Sequence, residues 1–419
     1  MNPYFEDLQS YPFEKLKELN AEVVANPNLK PILLSVGEPK HPAPEFVKEV
    51  LCNAIDGLAN YPSTKGLVEL RETIAQWATT RFNLSKSALN AEANVLPVAG
   101  TREALFAFTQ TIIDSTGSVK PLVVCPNPCY QIYEGAALLA GADTYYLNCN
   151  SDDGFVPDLD AVPEAIWQRC QLLQLCAPGN PTGATLSLAY YKKAFELADK
   201  YDFIVSNDEC YSELYRDEDN PPLGLLDACQ QLGRENFDRC IVFHSLSKRS
   251  NLPGLRSGFV AGDRSLINYF LRYRTYHGCA LSLPVQRASI AAWNDESHVL
   301  QNRQLYKKKF EAVGSILSGV LDFNMPSAGF YLWPKTPIDD AVFARNLYSQ
   351  ENVMVLPGSF ISRATSEGNP GNGRIRLALV PSLEDCIEAA ERIKRFTSVY
   401  YTHLRAHRDL STSRMPSSA

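Results

Sequence analysis

Leu172-Leu173-Gln174-Leu175-Cys176-Ala177-Pro178-Gly179-Asn180-Pro181-Thr182-Gly183 passes from a mostly apolar run straight into a turn punctuated by proline and glycine. Such a run, bounded by turn residues, predicts a buried strand. A helical pattern from Leu188 to Tyr201 follows, and then a second apolar run, Phe203 to Ser206, which ends on Asn207 and Asp208. Strand, helix, strand in that order predicts a parallel pair joined by a right-handed crossover. The same rhythm extends outward in both directions. Apolar runs recur at Val95 to Val98, Leu122 to Cys125, Thr144 to Leu147, Ile241 to Phe243 and Gly258 to Ala261, and Arg102 to Asp114 has helical spacing. The expected fold class is therefore α/β, a mainly parallel sheet covered by helices.

After Asp263 the rhythm changes. His298 to Leu321 is a long charged helical stretch, and Gly329 to Trp333, Val353 to Leu356 and Arg374 to Leu379 are strand candidates before a last amphipathic helix, Leu383 to Phe396. A chain of 419 residues is too long for one comfortable core. The expected division is a large α/β domain over 46–285, a smaller α+β domain from 1–45 and 286–397, and a frayed tail over 398–419.

Composition excludes several classes of function. At 45% apolar and 21% charged residues the chain is neither disordered nor fibrous, and 40 basic against 47 acidic side chains leave −7, with no overall attraction for nucleic acid or anionic lipid. No apolar run approaches the length of a membrane span, and residues 1–20 carry Glu6, Asp7, Glu14 and Glu18 instead of a signal-type apolar run. The 11 cysteines are scattered singly, with no histidine at ligand spacing, so reduced thiols, no metal and a cytoplasmic location are expected.

The chemistry begins with what is missing. Neither a P-loop nor a strand-to-helix G-x-G-x-x-G is present, which argues against ATP or nicotinamide. Instead, Ser245-Leu246-Ser247-Lys248 follows the run Ile241 to Phe243, and Arg256 comes eight residues after the lysine. A strand-end lysine can condense with an aldehyde, and two serines and an arginine can supply donors to a phosphate. By spacing alone, an ordinary surface lysine fits equally well. Asp208 comes 28 residues after Asn180, and Tyr211 follows three residues later. The Pro178-Gly179-Asn180-Pro181 turn could by itself be only a tight loop.

Taken together, Asn180, Asp208, Tyr211, Ser245, Lys248 and Arg256 resemble the cofactor site of the class I and II aminotransferases, the fold type I group. The resemblance covers nearly the whole chain, from Val36-Gly37-Glu38-Pro39 to Arg374-Ile375-Arg376-Leu377. It implies pyridoxal 5′-phosphate, with Lys248 as its covalent anchor and proton carrier. Asp208 would keep the pyridine nitrogen protonated, and Asn180 and Tyr211 would face the phenolic oxygen. Gly100 and Thr101, opening a helix with Arg102, would take the phosphate together with Ser245, Ser247 and Arg256, although Thr101 could be a plain N-cap. Tyr130 matches the aromatic stacked on the ring. Tyr61 matches the residue that reaches a neighbouring subunit's phosphate, which implies a homodimer. Arg376 matches the grip on the substrate α-carboxylate, with Arg374 as the alternative and Gly37 beside it.

Val98 to Phe106 and Leu246 to Asn251 further resemble the bacterial succinyldiaminopimelate aminotransferases, which serve lysine and peptidoglycan precursor synthesis. Small amino-acid and 2-oxo-acid substrates are implied. A second carboxylate on such substrates calls for another cation, and Arg102 and Arg249 are the candidates. A carbon–sulfur lyase, an aminotransferase of another amino acid and a non-enzymatic ligand sensor remain the alternatives.

Overall fold

The computed structural model describes residues 2–412, with side chains up to Ser398. The strands are β1 (Ile32–Leu33), β2 (Val95–Val98), β3 (Leu122–Asn127), β4 (Asp143–Asn148), β5 (Cys170–Cys176), β6 (Ile204–Asp208), β7 (Cys240–Ser245), β8 (Gly258–Gly262), β9 (Tyr331–Leu332), β10 (Val353–Met354), β11 (Leu356–Pro357) and β12 (Ile375–Ala378). Strands β2 to β8 form one seven-stranded sheet in the order β2-β8-β7-β6-β5-β3-β4. β2, β3, β7 and β8 are buried along their whole length, which is why they read as runs rather than as alternating patterns.

One strand departs from the parallel expectation. β8 is antiparallel to both of its neighbours, β7 and β2. The connection 246–257 holds only the short helical pieces Leu246–Arg249 and Pro253–Leu255, and the chain folds straight back so that Gly258 pairs with Ser245. A parallel return would need a crossover with a full helix.

Apolar clusters lie on the two faces of the sheet. One gathers Leu173, Leu175, Val205, Val242 and Phe259 with helices Val68–Arg81, Leu188–Tyr201 and Leu283–Asn294. The other gathers Val123, Leu172, Ile241 and Val260 with helices Thr101–Ile112, Gln131–Leu139 and Arg264–His277. A separate cluster joins Ile32 and Leu34 to residues from Phe310 to Phe396. Helix Leu283–Asn294 packs Ala288, Ala292 and Trp293 into the first sheet cluster, although a boundary at 285/286 would give most of it to the other body.

The smaller elements differ in detail from the sequence pattern. The run Val353 to Leu356 splits, β10 pairing with β1 and β11 pairing with β12. The charged helix runs Ser297–Leu317, stopping before Gly319, whose φ of +73° leaves the helical region. The final helix, Leu383–Thr412, continues past Phe396 and through most of the stretch expected to fray; residues 413–419 lie outside the described residues.

The parallel strands β5, β6 and β7 set up the site. Cys176 pairs with Asp208 and Asp208 with Phe243, so β5 and β6 end at one level and β7 runs two residues further, to Ser245. The turns that follow them carry Asn180, Tyr211 and Lys248 to that edge, where open α/β sheets bind ligands.

Phe259 anchors this arrangement from below, its ring 5.0 Å from His244, 5.2 Å from Trp293 and 5.9 Å from Trp77 between centroids. Phe259→Ala should cost about 3–5 kcal/mol in denaturant unfolding. A loss below about 1 kcal/mol would mean that the ring cluster is not a fixed core.

Candidate active site

A cavity of about 460 Å³ opens at this edge of the sheet. It is lined by Gly37, Thr101, Arg102, Tyr130, Asn180, Asp208, Tyr211, Ser245, Ser247, Lys248, Arg256 and Arg376. Residues from widely separated stretches of sequence thus meet in one place.

Lys248 sits on the helical turn Leu246–Arg249, directly after β7, and Nζ donates to the carbonyl of Gly37 at 2.7 Å. Burial lowers its pKa to about 8, because the ammonium form loses its water. A Cβ on Gly37 would collide with the phenol of Tyr331, so glycine is needed for this close approach.

Asp208 is buried at the end of β6. It accepts hydrogen bonds from Tyr133 Oη at 2.7 Å and from the Cys210 N–H at 3.2 Å. Burial pushes its pKa up, and these donors act in the opposite direction. Tyr133 escaped the sequence reading, although it lies one helical step beyond Tyr130, and that spacing was a usable signal.

Tyr211 and Tyr331 share a hydrogen bond of 3.1 Å between their hydroxyls, and burial raises the pKa of Tyr211. Arg376, on β12, donates to Asn180 Oδ1 at 3.2 Å and to the Ser35 carbonyl at 2.8 Å, while its buried Nε has no partner among the described residues. Tyr331 stands 120 positions from Tyr211 and offered no signal in sequence.

The remaining wall is an anion cradle. Gly100, at φ +94°, turns the chain into helix Thr101–Ile112, and a Cβ there would run into Glu103 and Arg256. Ser245 Oγ accepts the Ser247 N–H at 3.0 Å. Arg256 Nη2 pairs with Glu103 at 2.7 Å, a partner that sequence reasoning passed over. Outward from these, Arg102 Nε donates to Tyr130 Oη at 2.5 Å, and Tyr11, Pro12 and Phe13 close the cavity from the N-terminal segment, another feature not foreseen.

Gly100 borders this cavity without lining it, and Arg249, Arg374 and Tyr61 fall outside it. Arg249 is 1% exposed and turned away from it. Its guanidinium pairs with Glu296, donates to the Ala292 carbonyl at 2.8 Å, and lies over Trp293 at 4.7 Å. As a packed core arginine it cannot meet a substrate carboxylate. Arg374 likewise donates to the Trp333 carbonyl at 3.0 Å over Phe155, which leaves Arg376 as the cavity arginine of that strand. Tyr61 is fully exposed and lines no part of the cavity of its own chain.

The model of the aminotransferase class I and II family matches residues 30–393. The chain belongs to this family. It is a pyridoxal-phosphate-dependent transaminase, as all of that family's aminotransferases depend on this cofactor. An aminotransferase structure from Neisseria meningitidis Z2491 is 48% identical, covers 95% of this chain and 100% of its own, and has a TM-score of 0.91. The LL-diaminopimelate aminotransferase of Nitratidesulfovibrio vulgaris (strain DSM 19637 / Miyazaki F) is 31% identical across 92% of this chain and 96% of its own. A structure from Thermus thermophilus, described as a probable N-succinyldiaminopimelate aminotransferase, is 27% identical over 92% of this chain and 99% of its own, with a TM-score of 0.79.

The residues present suit the aminotransferase cofactor. A buried carboxylate, a half-buried lysine and an anion cradle at a helix start with no room for a Cβ are the donor set that a protonated pyridine, an aldehyde and a phosphate require.

Because Arg249 is packed and not substrate-facing, Arg249→Ala should lower unfolding stability by about 1–3 kcal/mol, through lost packing and unpaired carbonyls. Its KM for any substrate should stay within about twofold of wild type. A large KM change with unaltered stability would return Arg249 to the substrate site.

Proposed function

We propose that this aminotransferase acts in the diaminopimelate route to lysine, exchanging the amino group of N-succinyl-LL-2,6-diaminopimelate with 2-oxoglutarate and glutamate. The observation that carries the reading is Arg102. Its only side-chain hydrogen bond among the described residues runs from Nε to the neutral phenol of Tyr130, so both terminal nitrogens stay uncommitted on the cavity wall. Arg376 is likewise bonded only to neutral groups. Two guanidiniums without carboxylate partners suit substrates with a carboxylate at each end. The names carried by the Nitratidesulfovibrio and Thermus relatives support the same substrate class.

In this reading each residue has a physical task. Bound pyridoxal phosphate withdraws electrons from the substrate Cα. Asp208, whose carboxylate accepts from Tyr133 and the Cys210 N–H, would face the ring nitrogen and keep it protonated. Asn180 and Tyr211 would face the phenolic oxygen, and Tyr130 would cover the ring. Gly100, Thr101, Ser245, Ser247 and Arg256 would hold the phosphate. Arg376 fixes the α-carboxylate and thereby the direction of the Cα–H bond, with Gly37 leaving space for it. Lys248 anchors the cofactor, and once displaced its amine takes the Cα proton and returns it. A pKa near 8 suits that double task, because both protonation states are accessible near neutrality.

Tyr61 of one subunit reaching the phosphate site of another, a cytoplasmic homodimer and the division into bodies 46–285 and 1–45 with 286–397 belong to the same proposal. The exposure of Tyr61 and the separate apolar clusters support it.

Lys248→Ala should abolish turnover while folding normally. The wild type should show ping-pong kinetics, with no 2-oxo acid released continuously unless an acceptor is supplied. Steady release of pyruvate and ammonia from an amino acid alone would point to a lyase instead.

Arg102→Gln should raise KM for both the succinylated amine and glutamate by about 10- to 100-fold, the worth of a charge-assisted hydrogen bond, with a smaller change in kcat. Unchanged KM values would remove Arg102 from the substrate site.

A further inference from the structure

Outside the cavity lining, a chain of buried polar groups runs to the backbone of Lys248, and none of the roles above uses it. Asn302, on helix Ser297–Leu317 and 2% exposed, donates through Nδ2 to the carbonyls of Lys248 at 3.2 Å and Arg249 at 3.4 Å. Its Oδ1 accepts from Asn251 Nδ2 at 3.1 Å and faces His41 Nδ1 at 2.8 Å. Since that oxygen can only accept, the imidazole proton sits on Nδ1, and Nε2 presents its lone pair. Lys309, two turns further along the same helix and also 2% exposed, fills that position. Its Nζ lies 2.7 Å from His41 Nε2 and 3.2 Å from the Val380 carbonyl. Tyr306 packs its ring 4.6 Å from the imidazole.

The second link runs through the loop that carries His41. Four residues earlier stands Gly37, whose carbonyl accepts from Lys248 Nζ. One cluster therefore touches both ends of the lysine, its backbone through Asn302 and its amine through the 37–41 loop. The stretches it joins lie far apart in the chain: residues 37–41, the lysine turn, the long helix and Val380, two residues past the end of β12.

The geometry points to His41, Asn302 and Lys309 as positioning residues that form a clasp on the Lys248 turn and, once the amine is free of the cofactor, hold Nζ against Gly37, a clasp that stays closed only while His41 is neutral. This rests on the reading of Lys248 as the reacting lysine. A second proton on the imidazole would set an Nε2–H against the Lys309 ammonium, and the contact would open. The charged groups around the pair are few. Burial lowers the pKa of Lys309 to about 8, with Cys386 and Glu384 of the final helix acting against the shift. Burial lowers that of His41 as well, opposed by its bond to Asn302 and reinforced by the charge of Lys309. Neutral His41 beside charged Lys309 is the state these surroundings favour at neutral pH.

The test uses the holoenzyme with Lys309→Met, Lys309→Arg and His41→Phe. Three quantities are read: the His41 titration by NMR, the pH profile of kcat, and the pH midpoint of the bound cofactor's visible absorption. Lys309→Met should move the His41 midpoint upward, shift the absorption midpoint, and lower kcat by about five- to 100-fold with KM changed less than about threefold, as expected for a misplaced reacting group. Lys309→Arg should restore most of the kcat. A Lys309→Met enzyme that melts earlier but keeps kcat and both midpoints would overturn the clasp and leave a purely structural spine. If Lys309→Met does not accumulate, His41→Phe, which keeps a ring beside Tyr306, decides by the same kcat and absorption criteria. Failure of the underlying reading would show differently, as turnover by Lys248→Ala with the His41 titration unaffected.

Discussion

The neighbouring ends of three parallel strands are the constraint from which the rest of the structure follows. β5, β6 and β7 are held in register; β5 and β6 give way to turns at one level, and β7 adds His244 and Ser245, paired with β8, before its own turn. Side chains in those turns need no long reach to converge, and the sheet below them is packed on both faces and cannot yield. Asp208 gains its position from this directly, as the last residue of β6, and burial there is tolerable only because Tyr133 and the Cys210 amide supply donors. The antiparallel return of β8 completes the constraint. It keeps the lysine turn short and brings Arg256 back over the helix start at Gly100.

Much of this was legible in the sequence, for a physical reason. Strands buried on both faces write themselves as apolar runs, and all seven strands of the large sheet sit where such runs occur. Polar residues of the cavity sit at strand ends, next to those runs, so Asn180, Asp208, Lys248 and Arg256 stood out by position, although only the family resemblance gave them roles. What stayed hidden is contact between elements distant in sequence. The bond between Tyr211 and Tyr331, the pairing of Arg256 with Glu103 and the N-terminal residues Tyr11 to Phe13 over the cavity depend on tertiary packing that no local pattern encodes. The orientation of β8 was hidden for a related reason, since an apolar run has no direction.

The arginines show where position alone misleads. Arg249 follows the lysine immediately, yet a helical turn rotates successive side chains by about 100°. Its guanidinium therefore points away from Lys248, into the aromatic pocket of Trp77 and Trp293. Arg374 and Arg376 stand two positions apart, with only Ile375 between them, and would share one face of an extended chain, but β12 proper starts at Ile375. Arg374 is drawn to the Trp333 carbonyl, and only Arg376 enters the cavity. Adjacency in sequence is a guide to the element and not to the face.

The electrostatic state of the cavity links the fold to the proposed substrate. The chain as a whole is acidic, at −7, yet the cations on the cavity wall outweigh their local partners. Arg256 is balanced by Glu103, and Lys248 relieves its burial by losing part of its charge. Arg102 and Arg376 have neither remedy, since a guanidinium does not deprotonate in a protein and their hydrogen bonds go to neutral acceptors. Arg376 is buried, at a cost in stability that a bound anion would offset, whereas Arg102 is exposed and stays hydrated until a substrate displaces its water. A substrate with one carboxylate would satisfy one of them and leave the other unpaired, whereas a carboxylate at each end satisfies both. Discrimination is sharper at Arg376, where a missing carboxylate would leave a buried charge unpaired, than at exposed Arg102, which water can serve instead.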